Sequence, residues 1–410
     1  MAYHFRQAGD PRTVEWTLRA AERAEQLGAY RTAAERLAAA LAAQEEHGSA
    51  ASARGWVALR LALVRRLHDP HHSLASLDTV SQLATEAGDA TLAAYALFLR
   101  GLLHCATDAY RRGLVELAEG IAAIAALDPR ERVWLLTLND PAEVAERDYH
   151  GVLVNWLAHV GDYAEAERRA GAALGGTPND RAEAYLGLGY AHAALGRPEE
   201  ARAAHATATA LARSCDNDFF LGIIGLHELI WVALTYAADR PDEWRRQVAE
   251  LEASWQRRSR MRELALAPRT LLLAPLIVLG DWREARQLAD ATRADENADK
   301  FVVAGIHSRL AWLAREQGDA ALARALAREW LPDGPATEPG DGRYLDQVLL
   351  LQLSAALALD EGDIEMARAW LAAHDRWLAW NGTRLYRAEG LVLRARYHRA
   401  AGDLARAVAC

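Results

Sequence analysis

Lysine is almost missing from this 410-residue sequence: Lys300 stands alone, and every other basic side chain apart from the histidines is arginine. Any mechanism that needs several lysines is excluded. Cysteine is nearly as scarce. Cys105, Cys215 and Cys410 lie too far apart for a CxxC-type zinc or redox motif. So few thiols in so long a chain point to a reducing compartment, which gives cytoplasmic as the expected location. Proline occurs only 12 times, β-branched runs are few, and strand-like alternation is absent over any useful length. Uncharged apolar runs are short. Residues 270–280 carry no charge but are too few to span a bilayer. Residues 219–238 are long enough, but His227 and Glu228 sit at their middle. A spanning helix needs roughly 20 apolar residues, and a central acid costs about 2.5–3.5 kcal/mol on insertion scales. Both stretches read as buried helices, and no membrane partner is expected. The first seven residues lack the apolar core of a signal peptide.

What is present is a helical, mildly acidic composition. Apolar residues make up 51% of the chain and charged ones 25%, enough to bury a large core and too apolar for disorder. Asp plus Glu outnumber Lys plus Arg by 56 to 47, which argues against a chain that coats nucleic acid. Ala, Leu, Arg and Glu dominate. Apolar positions recur at helical spacing, as in Val303, Ile306, Leu310 and Leu313.

A short phrase returns along the chain. It reads Gly161-Asp162-Tyr163-Ala164-Glu165-Ala166, then Gly196-Arg197-Pro198-Glu199-Glu200-Ala201. It returns as Gly280-Asp281-Trp282-Arg283-Glu284-Ala285 and Gly318-Asp319-Ala320-Ala321-Leu322-Ala323. Further copies start at Gly362-Asp363 and Gly402-Asp403, with a variant at Gly28-Ala29-Tyr30. Degenerate copies fit near His68-Asp69-Pro70, Asp108-Ala109-Tyr110 and Asp239-Arg240-Pro241. These are ten candidate turns, most of them 35 to 44 residues apart.

The phrase encodes a helical hairpin. Glycine ends the first helix because it takes the left-handed conformation at little cost. The next residue or two cap the second helix through a side-chain oxygen. The alanine five residues after the glycine lets the two helices approach closely. One hairpin cannot bury its own apolar face, so neighbours stack and the stack winds into a superhelix with a concave inner surface. The predicted fold is all-α: helical hairpins in a right-handed superhelix, an α-solenoid, forming one array over residues 1–410. Three places interrupt it: residues 127–141, an exposed loop at 332–342 rich in Pro, Gly and acid, and Pro268 with Pro275, which should kink or shorten one apolar helix.

The pattern resembles the tetratricopeptide repeat. Tyr185, Leu188, Gly189, His192, Gly196, Ala201, His205 and Ala208 fall at that family's signature spacings. His192 and His205 depart from it, standing where Tyr and a larger aromatic are usual. Many units exceed the usual length of about 34 residues. A narrower resemblance lies in residues 2–10 (AYHFRQAGD), followed by Trp16, Ala20, Ala24 and Leu27-Gly28-Ala29-Tyr30. Residues 377–382 (WLAWNG), with Ala388-Glu389-Gly390 through Gly402-Asp403, extend it. These stretches resemble the helical-repeat arm of MalT-like, LuxR-type bacterial regulators, members of the signal-transduction ATPases with numerous domains. The resemblance implies a sensor arm whose ATPase and DNA-binding modules lie outside this chain. No G-x-x-x-x-G-K-[ST] loop occurs, and only eight residues follow Gly402, too few for a helix-turn-helix.

Constellations that could carry other chemistry are weak. His68, His71 and His72 flank a Pro-containing turn, which reads as exposed histidine rather than a metal site. Gly187-Leu188-Gly189 lies inside a helix with no strand before it, so it is no dinucleotide loop. Arg257, Arg258, Arg260 and Arg262, with Trp244, Arg245, Arg246 and Trp255, form a basic-aromatic cluster that reads as a solvated helix face whose Trp residues pack inward. Asp216 and Asp218 beside Cys215 read as an inter-repeat loop. No catalytic residue, cofactor or metal is assigned. If the first helix of each hairpin lines the groove, counting back from each turn glycine places Asn155, His159, Glu183, Tyr190, Ser308, Trp312, Arg315, Gln352, Glu389, Arg396 and Arg399 on the inner surface. That mix suits a protein or extended peptide partner, or a small polar inducer. The main expectation is a ligand- or protein-sensing arm of a transcriptional regulator. The alternative is a stand-alone scaffold for protein–protein interaction.

Overall fold

The computed structural model describes residues 5, 7–27, 29–66, 69–107, 109–128, 130, 149–215, 217–257, 270, 272–294 and 300–410. Among them helix follows helix and no strand occurs. Arg12–Gln26 pairs with Tyr30–Glu46, Ala51–Arg65 with Pro70–Ala87, and Ala90–Ala106 with Tyr110–Ala125. His150–Val160 pairs with Tyr163–Ala173, and Pro178–Ala194 with Pro198–Ser214. Asp218–Glu228, continued by a π-helical turn at Leu229–Ala233, pairs with Pro241–Arg257. Leu273–Leu279 pairs with Trp282–Ala294, and Lys300–Glu316 with Ala320–Trp330. Tyr344–Asp360 pairs with Ile364–Asn381, and Arg387–Ala400 with Leu404–Ala409. The two helices of every pair pack on each other. The fold is an α-solenoid of helical hairpins. Among the described residues no helix is long and apolar enough to cross a membrane.

The turn chemistry explains the pairing. Gly161, Gly196, Gly280, Gly318, Gly362 and Gly402 all take φ between 76° and 95°, which a side chain would strain. Asp162, Asp319, Asp363 and Asp403 then accept a hydrogen bond from the backbone N–H three residues on, at 3.0–3.2 Å. Ala166, Ala201, Ala285, Ala323 and Ala367 are fully buried, where the helices come closest. The turns placed at Gly28, His68 and Asp108 rest on residues outside those described, as do most of the 127–141 interruption and Pro268.

Some packing had no counterpart in the repeat phrase. Gly88-Asp89 has the same chemistry, with φ 62° at Gly88 and Asp89 accepting from the Leu92 N–H at 2.8 Å. It joins one hairpin to the next instead of the two halves of one. In the third pair a methyl on Gly101 would lie 2.3 Å from the Leu117 nitrogen, and one on Gly120 would lie 2.5 Å from Phe98 Cα. The two backbones are in contact there. Gly189 and His205, both signature positions, also meet: a methyl on Gly189 would lie 2.4 Å from His205 Nε2. The imidazole fills the space that the missing side chain leaves.

The array also closes on itself. The carbonyl of Ala194, at the end of its helix, accepts from the Arg384 N–H at 2.9 Å, the Leu385 N–H at 3.1 Å and the Thr383 hydroxyl at 2.7 Å. Helix ends leave such carbonyls without partners inside the helix, and here a segment 189 residues away supplies the donors. Tyr344 reinforces the contact, its hydroxyl 3.0 Å from Thr383 Oγ1 and its ring 5.8 Å from that of Tyr163. The Tyr236 hydroxyl donates to the neighbouring Ala193 carbonyl.

The 332–342 segment is a correction to the expected exposed loop. Pro332, Asp333 and Glu338 are exposed, but Thr337, Gly340 and Gly342 are buried. Two distant arginines pin its carbonyls: Arg376 donates to Pro335 at 2.7 Å and Arg111 to Pro339 at 2.8 Å. Pro275 sits in the first turn of Leu273–Leu279, where the missing N–H is tolerated, so it shapes a short helix instead of kinking a long one.

Two substitutions test this packing by urea unfolding. Thr383→Val removes a buried hydroxyl at the closure and should lower stability by about 1–2 kcal/mol. Gly120→Ala forces backbone against backbone and should cost about 1–3 kcal/mol. A neutral result at either position would contradict the contact described there.

Candidate interaction surface

The residues assigned to the inner face separate into two groups. Half-buried Asn155 and His159 and fully buried Tyr190 converge with His205, His227 and Trp231 in one seam. The Tyr190 ring lies 4.8 Å from His159, 5.0 Å from His227 and 5.3 Å from Trp231, stacking on the last at 15°. Tyr190 is fully buried, which corrects its placement on an open surface. Helix Pro178–Ala194 is covered on several sides, by His150–Val160, Tyr163–Ala173, Pro198–Ser214 and the π-turn. Counting back from a glycine assumes one side left open. Glu183 is half-buried and packs against Gly151.

Burial dominates the electrostatics of this seam. It pushes His159 down to about 3, helped by His227 and Arg343 and opposed by the Asn155 carbonyl, which lies 3.0 Å from Nδ1. Burial likewise pushes His205 to about 3, with His227 adding, and His227 to about 4, with Arg343 adding and the Ile223 carbonyl opposing. All three are neutral at pH 7. Burial also raises the Tyr190 hydroxyl well above its ordinary range. Neutral rings packed edge to face are a structural joint.

Ser308 and Gln352 are likewise buried, which corrects their assignment. Ser308 Oγ donates to Asp346 at 3.1 Å. Gln352 Nε2 donates to the Tyr386 carbonyl at 2.9 Å and lies 3.0 Å from His374 Nε2. Both tie one first helix to the next element.

The second group reaches solvent. Trp312 is half-buried, its indole N–H donating to the Leu349 carbonyl at 3.1 Å. The Arg315 guanidinium lies 5.6 Å from the Trp312 ring centroid and donates to Asp360 at 2.8 Å. Arg396, from the last hairpin, donates to the other Asp360 oxygen at 2.8 Å. Thus three successive first helices, Lys300–Glu316, Tyr344–Asp360 and Arg387–Ala400, bring Trp312, Arg315, Asp360 and Arg396 into one row. Asp360 was missed by counting. Its signal was an acid in the last turn before Gly362, where nothing in the helix itself favours a negative charge. Glu389 and Arg399 are exposed on the same helix as Arg396. Arg315 also donates to Glu316 at 2.6 Å, so guanidiniums and carboxylates alternate beside an aromatic ring, a surface suited to the N–H and C=O groups of an extended peptide.

The other constellations contribute less. Trp244 packs inward, and Arg245 and Arg246 are exposed, with Arg245 over the Trp244 ring at 5.2 Å. Arg258, Arg260 and Arg262 lie outside the described residues, as do His68 and Asp216. The side chains of Trp255, Arg257 and Asp218 do so too. His71 and His72 are exposed. Among the described residues no group of three or more His, Cys, Asp or Glu is placed to hold a metal ion.

No family model and no curated protein matches the chain. Among solved structures it is similar to the TPR domain of P58(IPK), at 15% identity and a TM-score of 0.31, over 96% of this chain and 98% of that one.

The seam makes stability depend on pH. Unfolded, these imidazoles take a proton near 6.5; folded, only near 3 to 4. Between those limits the unfolded chain binds more protons, so stability falls as pH drops below 6.5 and is complete above it. Each ring contributes at most about 1.4 kcal/mol per pH unit. Urea unfolding should therefore show a decline already between pH 6.5 and 5, above the range where carboxylates dominate. His205→Leu should make that decline shallower, and an unchanged slope would reject the seam as its source.

Proposed function

We propose that this chain is a scaffold for protein–protein interaction, docking an extended peptide segment of its partner across the row formed by Trp312, Arg315, Asp360 and Arg396. The observation that carries the reading is the convergence of Arg315 and Arg396 on Asp360 from separate hairpins. A partner lying along the row would meet a fixed aromatic face and guanidinium N–H groups at each step, held by helices instead of loops. Glu389 and Arg399 extend the row at its far end, and Ser308 and Gln352 hold its helices in register from beneath. The proposal treats residues 1–410 as one array of about ten hairpins acting in the cytoplasm, with no catalytic step.

A second reading rests on the resemblance of residues 2–30 and 377–403 to the arm of MalT-like, LuxR-type regulators. There the same row would sense a protein or a small polar inducer, and its occupation would shift the arm between two arrangements and so release an ATPase module.

A displayed library of peptides of about twelve residues should yield binders. Their affinity should fall about tenfold or more in Trp312→Ala and in Arg315→Ala, because a stacked guanidinium and its ring are lost together. Binders indifferent to both changes would place docking elsewhere. A thermal shift with sugars or nucleotides that both substitutions abolish, with no peptide selected, would favour the inducer-sensing reading.

A further inference from the structure

A second concave feature lies away from this row, where the third hairpin meets the segment before Tyr344–Asp360. It is a cleft of about 580 Å³, within the usual range for small-ligand sites. One wall is residues 109–112, at the start of helix Tyr110–Ala125. The facing wall comes from residues 329–333 and 343–347, with Trp330 supplying an aromatic surface. The indole is fixed, since its N–H donates to His307 Nδ1 at 2.8 Å.

The polar groups of this cleft are unevenly committed. Each guanidinium already has a carboxylate: Arg111 has Asp341, Arg112 has Glu116 at 2.9 Å, and Arg343 has Asp346 at 2.8 Å. The charges left without a close partner are acidic. Asp333 carries an exposed carboxylate with no ion pair among the described residues, and the Glu329 carboxylate has only the His307 ring, 3.9 Å away. Gln347 is only 5% exposed, and its amide N–H donates to the Trp330 carbonyl at 3.1 Å. That bond fixes which end of the amide is which and leaves Oε1 buried with no donor in the protein. A buried acceptor without a donor costs free energy, and a ligand rich in N–H groups would recover it. An anion would meet each of these guanidiniums with a carboxylate already beside it, and neutral ligands gain nothing from the two carboxylates.

We propose that this cleft is a binding site for an organic cation, a guanidinium or primary ammonium group, which donates to Gln347 Oε1, lies against Trp330 and is neutralised by Glu329 and Asp333. The group could arrive as a basic side chain of a peptide or as a free amine compound. The site goes beyond the scaffold reading, because a free amine would occupy it with no partner protein and without touching Trp312 or Arg315.

Isothermal titration of the full chain tests it with three probes: agmatine, the tripeptide Gly-Arg-Gly, and N-acetyl-citrulline methylamide as the uncharged isostere. Agmatine or the tripeptide should bind, with citrulline at least about tenfold weaker. The exposed double variant Asp333→Asn/Glu329→Gln should weaken binding about tenfold, and Gln347→Leu should abolish it. Trp312→Ala should leave it unchanged, which separates this site from the row. Preference for the tripeptide identifies a peptide as the source, and preference for agmatine identifies a free amine. No binding by either cation up to about 10 mM, equal binding of the citrulline probe, or full affinity in the folded double variant would overturn the proposal.

Discussion

Close approach of helix backbones is the constraint on which this molecule depends. Ala166, Ala201, Ala285, Ala323 and Ala367 are each fully buried five residues after a turn glycine, and larger side chains there would push the paired helices apart. The third hairpin takes the approach further, with Gly101 and Gly120 set against the backbone of the facing helix. Small residues bury little area each, at about 25 cal/mol per Å². No hairpin stands alone on that basis, and stability accumulates from the contact of each pair with its neighbours.

Curling back gives the array contacts that a linear stack lacks. The Ala194 carbonyl is satisfied by residues 383–385, and Arg111 reaches the 339–341 segment. These links bring the third hairpin against the segment between the eighth and ninth, and the fifth against the segment between the ninth and tenth. The first of them also builds the cleft beside Gln347, whose walls come from widely separated parts of the chain.

The hairpins were legible in the sequence because their signal is local. A glycine in the left-handed region followed by an Asp cap ends one helix and starts another wherever it stands. Gly88-Asp89 shows the limit of that signal: the same two residues mark a helix end without saying whether the turn lies inside a hairpin or between two. The inner-face residues were harder to read. Trp312, Arg315 and Arg396 do share a surface, since the last hairpins keep one side open. Tyr190, Ser308 and Gln352 do not, because each is covered by the hairpins stacked on its own, and the turn phrase does not encode how adjacent hairpins seat on one another. Gln347 left only a faint trace, a polar pair with Asp346 heading the otherwise apolar run Val348 to Leu351. Whether such a polar residue faces solvent or a cleft is decided by the Trp330 carbonyl, 17 residues earlier.

The walls of that cleft tie ligand binding to closure. Residues 109–112 and 329–347 are tied across the cleft by Arg111, which holds the segment at 339–341. A ligand that needs both walls has differential affinity for the closed arrangement, so its binding shifts the array toward closure. By linkage, whatever favours closure raises affinity for the ligand by the same factor. His159 and His227 both lie near enough to Arg343 to feel its charge, and Arg343 lines the cleft. The cleft and the Arg111 link are therefore parts of one contact between distant hairpins.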